Sequence, residues 1–247
     1  MEEKHIFTLF IAQPLPQNIN TGQEIIVKDA VLAHRITRVL RIRLNDTVVL
    51  FDGKTIMHIT KCTSNKDFLT ATVEKTIQGS PLQPEINLHC GLVKKDALES
   101  IVYFAAQLGV TSITPIITQK CERQELSEKD MLRLKNITIA ACEQAKQFWI
   151  PEIKKPTPFN TIIEKKPEEL RLYCEAGGKK LPEVLGKNSA QETIDLCIGP
   201  EGGFTHKEQE LMNQNSFYCC NLTPTILRSQ EATIVALGII RNFYVNE

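Results

Sequence analysis

The sequence predicts an α/β protein in two parts, a small N-terminal β-barrel and a larger C-terminal domain built on a mainly parallel sheet. Five short β-type runs occupy the first seventy or so residues, and many short strands in little chain are typical of a small barrel. Two prolines and a glycine follow within 78–84, where neither a strand nor a helix continues easily. Beyond this linker, strand and helix patterns alternate, which favours a sheet covered by helices. The predicted domains are residues 1–76 and 77–247.

The N-terminal part is predicted to contain five strands and one helix. Turn signals such as Asp52-Gly53 separate the apolar runs, as expected between short strands. One helical insert is predicted at Ala30–Arg41. The predicted strands are His5–Ile11, Glu24–Val27, Thr47–Phe51, Met57–Thr60 and Leu69–Glu74.

The C-terminal part is predicted to alternate five strands with four helices. Thr205 and Glu208 have the spacing of a capping box, which marks the start of a helix. The predicted strands are Glu85–Leu92, Ser112–Ile117, Leu172–Glu175, Thr193–Ile198 and Cys219–Leu222. The predicted helices are Lys95–Leu108, a helix from Ser127 to about Gln147, His206–Asn215 and Ser229–Tyr244.

Composition excludes several classes of protein. Formal net charge is zero, so no global field attracts nucleic acid and any such binding must come from local patches. The eight cysteines are scattered without a C-x-x-C pair, which argues against a zinc site or a disulfide framework. No apolar run is long enough to span a bilayer, and the N-terminus lacks the pattern of a secretory signal. We therefore expect no metal, no membrane partner and a cytoplasmic location.

The most informative segment is Ile198–Phe204, which reads Ile-Gly-Pro-Glu-Gly-Gly-Phe between a predicted strand and a predicted helix. Glycine lets backbone amides approach a ligand closely, and a helix N-terminus favours acceptor groups. The spacing is neither that of the dinucleotide fingerprint nor that of a P-loop. The glycines alone favour a plain strand-to-helix turn, whereas the proline and glutamate between them favour a ligand site.

A second compact element, Leu222–Arg228, precedes the last helix. It supplies the second wall of a ligand pocket if Ile198–Phe204 forms the first. Arg228 is then a fixed cation near the ligand or an RNA phosphate, although one arginine at a helix start is more often simply solvated.

Two groups of basic residues are candidates for RNA contact. Arg35, Arg38 and Arg41 recur at three-residue spacing within the predicted helical insert, so one face of it could meet RNA phosphates. A solvated face that pairs with nearby acids explains the same pattern. Lys94 and Lys95, at the start of a helix, are further candidates for RNA contact.

In this order, the motifs resemble those of the RsmE family, the 16S rRNA uridine-N3 methyltransferases of the SPOUT superfamily. The N-terminal part carries His34-x-x-x-x-Val-Leu-Arg41 and Phe51-Asp-Gly53, which look like the family's PUA-like domain. The C-terminal part matches most specifically at Gly199–Phe204. Further landmarks are Lys94-Lys-Asp96, Leu108-Gly-Val110, Glu143-Gln144 and Ile226-Leu-Arg228.

The resemblance implies a fold and a site. The fold would be a C-terminal SPOUT α/β trefoil-knot domain with a small N-terminal PUA-like β-barrel, assembled as a homodimer that acts on small-subunit rRNA or the 30S subunit. Arg228 would be catalytic, and Arg35, Arg38, Arg41, Lys94 and Lys95 would bind RNA. S-adenosyl-L-methionine would lie among three loops and contact Glu175, Ala176, Ile198, Gly199, Pro200, Glu201, Gly202, Gly203, Leu222, Ile226 and Leu227.

Some polar positions depart from the family pattern. Thr225 stands where an arginine is usual, Gln107 replaces a glutamate, and Ser229-Gln-Glu-Ala232 replaces Thr-Glu-Thr-Ala. These departures motivate one alternative, a non-catalytic ribosome-binding or assembly factor on the same fold. Another alternative is a SPOUT methyltransferase for a different RNA position.

Overall fold

The structure is a computed structural model, and it describes residues 6–17, 19–43, 46–64, 68–164 and 169–245. Its packing divides the chain into two compact units. One comprises Met1–Ser80 with Glu143–Trp149, and the other Pro81–Cys142 with Ile150–Glu247. The segment Glu143–Trp149, which the sequence assigned to the C-terminal domain, therefore packs with the first unit.

The first unit is built on a five-stranded mixed sheet with the strand order β1-β3-β4-β5-β2. All five predicted strands occur, although β4 and β5 are longer than predicted and His5 lies outside the described residues. No pairing of β1 with β2 is found in the described part of the chain, so closure into a barrel stays a prediction. The strands are β1 Phe7–Phe10, β2 Glu24–Val27, β3 Val48–Phe51, β4 Thr55–Ser64 and β5 Leu69–Gln78.

The helical insert of the first unit is shorter than predicted. Helix α1 runs from Ala30 to His34, and a π-helical segment, Arg35–Val39, continues it. Asp29 caps the helix by accepting a hydrogen bond from the Leu32 amide at 2.9 Å, as a short polar side chain does at a helix start. The prediction that the helix reaches Arg41 is wrong, because the backbone of Arg41 is left-handed, with φ of 50°.

The second unit is an α/β domain with a parallel sheet in the order β12-β10-β11-β6-β7-β8, and β9 also pairs with β7. The parallel arrangement confirms the prediction made from the alternation of elements. Apolar residues from both faces are buried against helices, which is why these strands are almost continuously hydrophobic. The strands are β6 Glu85–Gly91, β7 Ser112–Ile117, β8 Glu152–Ile153, β9 Thr157–Pro158, β10 Leu170–Lys180, β11 Thr193–Ile198 and β12 Tyr218–Asn221.

The helices of the second unit match the four predicted ones and add two short ones. Thr205 and Glu208 form the predicted capping box at the start of α6. None of the helices in the described residues has the length and apolar character needed to cross a membrane. The helices are α2 Lys95–Gln107, α3 Glu128–Ala145, whose last three residues belong to the first unit, α4 Phe159–Ile162, α5 Leu181–Gly186, α6 His206–Gln214 and α7 Ser229–Tyr244.

One sequence-predicted boundary, the end of β10, changes in a way that matters for the site. The strand predicted to end at Glu175 continues to Lys180, with a shift in register against β12 between Cys174 and Lys179. Gly178 permits this close approach, because a Cβ there would stand 2.6 Å from the backbone of Cys219. The expected loop after Glu175 is therefore an irregular stretch within β10.

Candidate functional site

Three segments of the second unit meet at the carboxyl ends of neighbouring parallel strands. They are the irregular stretch of β10, the glycine loop Gly199–Gly203 after β11, and Leu222–Leu227 after β12. Ligand sites of open α/β sheets lie at this edge. Together the segments line a cavity of about 390 Å³, within the range of roughly 300–1,000 Å³ that small-molecule sites occupy.

The glycine loop is a tight turn fixed at several points. The Gly203 amide donates to the Pro200 carbonyl at 2.8 Å, and Gly203 has a positive φ of 65°, which favours glycine. The last residue of β6, Gly91, lies directly against the loop. A Cβ on Gly91 would stand only 2.4 Å from the Pro200 nitrogen, so the path of the loop depends on the absence of a side chain there.

Side chains join the three segments to one another. Ser229 Oγ donates to the Gly199 carbonyl at 2.6 Å, which links the start of α7 to the glycine loop. Asn221 Nδ2 donates to the Ala176 carbonyl at 2.8 Å, which links β12 to the irregular stretch of β10. The cavity wall is therefore one connected hydrogen-bonded structure built from segments far apart in sequence.

Two acidic side chains and a lysine are among the polar residues that line the cavity. Glu175 Oε2 accepts a hydrogen bond from Gln209 Nε2 at 3.1 Å, so the carboxylate is held in place. Glu201 Oε1 accepts a 3.4 Å hydrogen bond from the Lys94 amide. Among the described residues of the lining, Lys120 is the one lysine, and its ammonium donates to backbone carbonyls of the glycine loop and of Phe204.

All eleven residues that the family resemblance assigned to the cofactor line this cavity. Ten other described residues line it, of which Phe204, Thr223 and Thr225 lie within the two segments predicted as the pocket walls. Of the seven that the sequence did not indicate, Lys120 had a usable signal, since it follows β7 at the same edge of the sheet, whereas Gln209 on α6 had none. These seven are Lys120, Cys174, Gln209, Cys220, Asn221, Ser229 and Ala232.

The cavity's thiols are protonated at neutral pH. Burial raises the pKa of Cys174 well above its ordinary value, and it raises the pKa of Cys220 to about 12. A thiol is nucleophilic only as the thiolate. The site is therefore unsuited to covalent catalysis through these cysteines. Within the described residues, no group of three or more His, Cys, Asp or Glu side chains is arranged to hold a metal ion.

Arg228, the predicted catalytic residue, lies beside the cavity without lining it. It is the N-cap residue of α7, with an extended backbone and no capping hydrogen bond from its side chain. Its neighbours Leu227 and Ser229 both line the cavity, whereas Arg228 itself is exposed. The guanidinium is thus available to a ligand that enters from solvent.

The five predicted RNA-binding residues occupy different settings. In the first unit, Arg35 forms a bidentate pair with Glu143 at 2.9 and 2.8 Å, and its pKa is raised by that hydrogen bond. Arg38 and Arg41 are exposed. In the second unit, Lys94 and Lys95 are exposed at the start of α2, and Lys94 Nζ lies 3.8 Å from Glu122.

Comparison with known proteins gives a consistent set of relatives. Residues 80–241 match the model of a family described as the RNA methyltransferase domain. The ribosomal RNA small subunit methyltransferase E of Rickettsia conorii is 30% identical over 214 residues, covering 84% of this chain and 85% of the relative. The protein of the same name from Aquifex aeolicus is 27% identical over 225 residues, covering 90% and 96%.

Solved structures share the fold. A ribosomal RNA small subunit methyltransferase E from Neisseria gonorrhoeae, bound to S-adenosyl methionine, is similar with a TM-score of 0.83 at 24% identity, covering 97% of this chain and 98% of that one. A Legionella pneumophila protein in complex with the same cofactor has a TM-score of 0.77 at 25% identity, covering 96% and 98%.

Proposed function

This chain belongs to the ribosomal RNA small subunit methyltransferase E family of RNA methyltransferases, and we propose that it methylates N3 of a uridine in 16S rRNA with S-adenosyl-L-methionine as the methyl donor. The observation that carries the proposal is the single cavity formed by the three segments after β10, β11 and β12. The relatives' names supply the small-subunit rRNA as substrate, and the family resemblance supplies the N3 position.

The residues of the cavity suit this cofactor. Ile198, Leu222 and Leu227 offer apolar surface to a flat base, and Ile226 at the rim is 92% exposed. Glu175 and Glu201 line the cavity, and carboxylates attract the positive charge of a cofactor that has a sulfonium and an ammonium group. When bound, S-adenosylmethionine supplies an electrophilic methyl group. The glycine loop and Leu222–Leu227 would hold it.

The chemistry asked of the protein is alignment and control of charge. Uridine N3 must lose its proton to solvent before it can attack a methyl group, and the negative charge then spreads onto the uracil oxygens. The transfer would form the N–CH3 bond, break the C–S bond and leave S-adenosylhomocysteine. The exposed guanidinium of Arg228, next to the cavity wall, is placed to stabilise that charge. Since the cavity's thiols are protonated, the proposed mechanism is a direct transfer without a covalent enzyme intermediate.

Finer features of the fold belong to the same proposal. We assign residues 77–247 to a SPOUT domain with a trefoil knot and residues 1–76 to a PUA-like barrel, with Glu143–Trp149 packed against the latter. The strand order supports the knot: the chain passes from β11 across β10 to β12, and α7 then returns to bond the loop after β11.

The assembly and its RNA contacts complete the proposal. We propose a homodimer that acts on the 30S subunit or its rRNA, in the cytoplasm where that substrate is found. Arg38, Arg41, Lys94 and Lys95 are exposed cations available to phosphates. Because Arg35 is paired with Glu143, Arg38 is the arginine of the π-helical segment that we expect to contact RNA.

The test uses purified protein, S-adenosylmethionine and small subunits from a strain that lacks the modification. Digested rRNA is read by nucleoside mass spectrometry, and we expect 3-methyluridine. Arg228→Ala should abolish its formation while the cofactor affinity stays within about twofold, and Arg228→Lys should restore only part of it because an ammonium lacks the planar fork.

Each outcome separates the alternatives. A different methylated nucleoside assigns the protein to another RNA position. Cofactor binding and subunit binding without any product assign it to a non-catalytic assembly role. Unchanged turnover of Arg228→Ala removes the catalytic assignment of that residue.

A further inference from the structure

We propose that Lys120 is the positioning residue of the glycine loop, and that it sets the affinity for S-adenosylmethionine by fixing two backbone peptide units. Its Nζ atom donates to the Gly202 carbonyl at 2.7 Å and to the Phe204 carbonyl at 3.3 Å. The inference rests on the proposed function, because it assigns Lys120 a task in the same cavity.

The turn that carries Lys120 is itself anchored. After β7, the Cys121 amide donates to the Thr118 carbonyl at 3.2 Å. The Gln119 amide donates to Glu208 Oε1 at 2.8 Å, and Glu208 is only 7% exposed. The other oxygen of Glu208 accepts from the Thr205 amide in the capping box of α6. The buried Glu208 carboxylate thus fixes both the backbone next to Lys120 and the end of the segment that Lys120 binds.

Lys120 is the partner shared by the two peptide units. In the unit between Gly202 and Gly203, the carbonyl accepts from Lys120 and the amide donates to the Pro200 carbonyl at 2.8 Å. In the unit between Phe204 and Thr205, the carbonyl accepts from Lys120 and the amide donates to Glu208 Oε2 at 2.7 Å. Each of the two peptide units is therefore hydrogen-bonded at both its carbonyl and its amide, and the Lys120 ammonium donates to both carbonyls.

Packing supports the same role for the lysine stem. A Cβ on Gly202 would stand 3.1 Å from Lys120 Cδ, so the aliphatic stem lies against the glycine where a side chain would otherwise be. Glycines lose more conformational freedom on ordering than other residues. The glycine loop contains three of them, so an external hydrogen-bond donor such as Lys120 reduces its freedom substantially, and a pre-ordered loop binds its ligand more tightly.

Lys120→Met tests this directly, because it keeps an unbranched stem over Gly202 and removes the ammonium. We expect the Kd for S-adenosylmethionine, measured by calorimetry, to rise about tenfold, which corresponds to about 1.4 kcal/mol. The KM for the cofactor should rise in parallel while kcat stays within about twofold. Lys120→Arg should recover most of the affinity, and Lys187→Met, an exposed lysine outside the cavity, should match the wild type.

A second readout is independent of the cofactor. Hydrogen exchange of the peptide spanning 199–205 should be faster in Lys120→Met than in the wild type, with an unchanged melting temperature. Unchanged exchange and unchanged cofactor affinity in Lys120→Met would overturn the inference, as would a fall in kcat at unchanged affinity. If the wild type itself binds no S-adenosylmethionine, the proposed function fails, and the exchange measurement still decides whether Lys120 fixes the loop.

Discussion

Gly91→Ala is expected to damage the cofactor site from a position that does not line it. Gly91 is buried at the end of β6, and a Cβ there would lie 2.4 Å from the Pro200 nitrogen, 2.7 Å from Cδ and 2.8 Å from Cα. Ordinary van der Waals contact begins at 3.4 Å, so the glycine loop or β6 must move by about 1 Å. The obstructing atoms belong to the backbone and a proline ring, and no side-chain rotation relieves the clash.

The magnitude follows from this overlap. Overpacking a well-packed interior costs about 1–3 kcal/mol, which for a protein of this size lowers the melting temperature by roughly 2–4 °C for each kcal/mol. Because β6 is hydrogen-bonded on both sides, to β7 and to β11, we expect the clash to move Pro200 toward the cavity rather than to move β6. We therefore expect the Kd for S-adenosylmethionine to rise at least about tenfold, in addition to the loss of stability.

Gly238→Ala is the matched control. It adds the same methyl group in α7 of the same unit, where nothing lies within 4 Å, and alanine is favoured over glycine within a helix by about 1 kcal/mol. Calorimetric titration and thermal unfolding of both variants give the comparison. If Gly91→Ala binds the cofactor and melts like the wild type, the loop is not held by its contact with β6 and the reasoning fails.

Three further predictions concern stability. Glu143→Gln should lower the free energy of unfolding, measured by urea titration, by about 1–2 kcal/mol. The Glu143 carboxylate accepts hydrogen bonds from the Phe10 amide and from both terminal nitrogens of Arg35, and charged acceptors make stronger hydrogen bonds than neutral ones. An unchanged urea midpoint would contradict this. Arg241→Leu should lower the free energy of unfolding by about 3 kcal/mol in the same assay. Arg241 donates to three carbonyl groups at 2.6–2.9 Å, and the substitution leaves all three without that donor. Arg241→Lys should recover only part of the loss. Burial raises the pKa of Cys90 from an ordinary 9.0 to about 12, because the thiolate is disfavoured in the folded protein. The resulting contribution to the free energy of unfolding is complete below about pH 9 and is lost as the pH rises toward 12. A urea midpoint that does not fall over that range would refute the assignment.

Sequence reasoning succeeded where the cause is local. The capping box of Thr205 and Glu208 is a four-residue signal, and the structure contains it. The parallel sheet followed from the order of strands and helices, which needs no knowledge of distant contacts. Short helix α5 had a local signal that was overlooked, because Pro182 occupies its first turn, where proline is favoured.

It failed where the cause lies elsewhere in the chain. The strand β10 is predicted to end at Glu175, yet it continues to Lys180 because the backbone of β12 approaches within contact distance of Gly178. Arg35 looked like one of three equivalent cations, and only its pairing with Glu143, 108 positions away, distinguishes it from Arg38. Nothing near Arg35 in the sequence carries that information.

The departures from the family pattern have to be judged by such contacts. Ser229 replaces the usual threonine, and its hydroxyl donates to the Gly199 carbonyl, which a threonine hydroxyl at the same atom can also do. Serine at this position therefore retains the hydrogen bond between α7 and the glycine loop, and it gives no reason to expect a weaker cofactor site. Thr225, by contrast, lines the cavity where a guanidinium is usual, and its own oxygen atoms bond within the loop to Thr223. If turnover is altered, the missing charge at Thr225 is the cause to test, by Thr225→Arg, and a kcat unchanged by that substitution would show that the missing charge does not limit turnover.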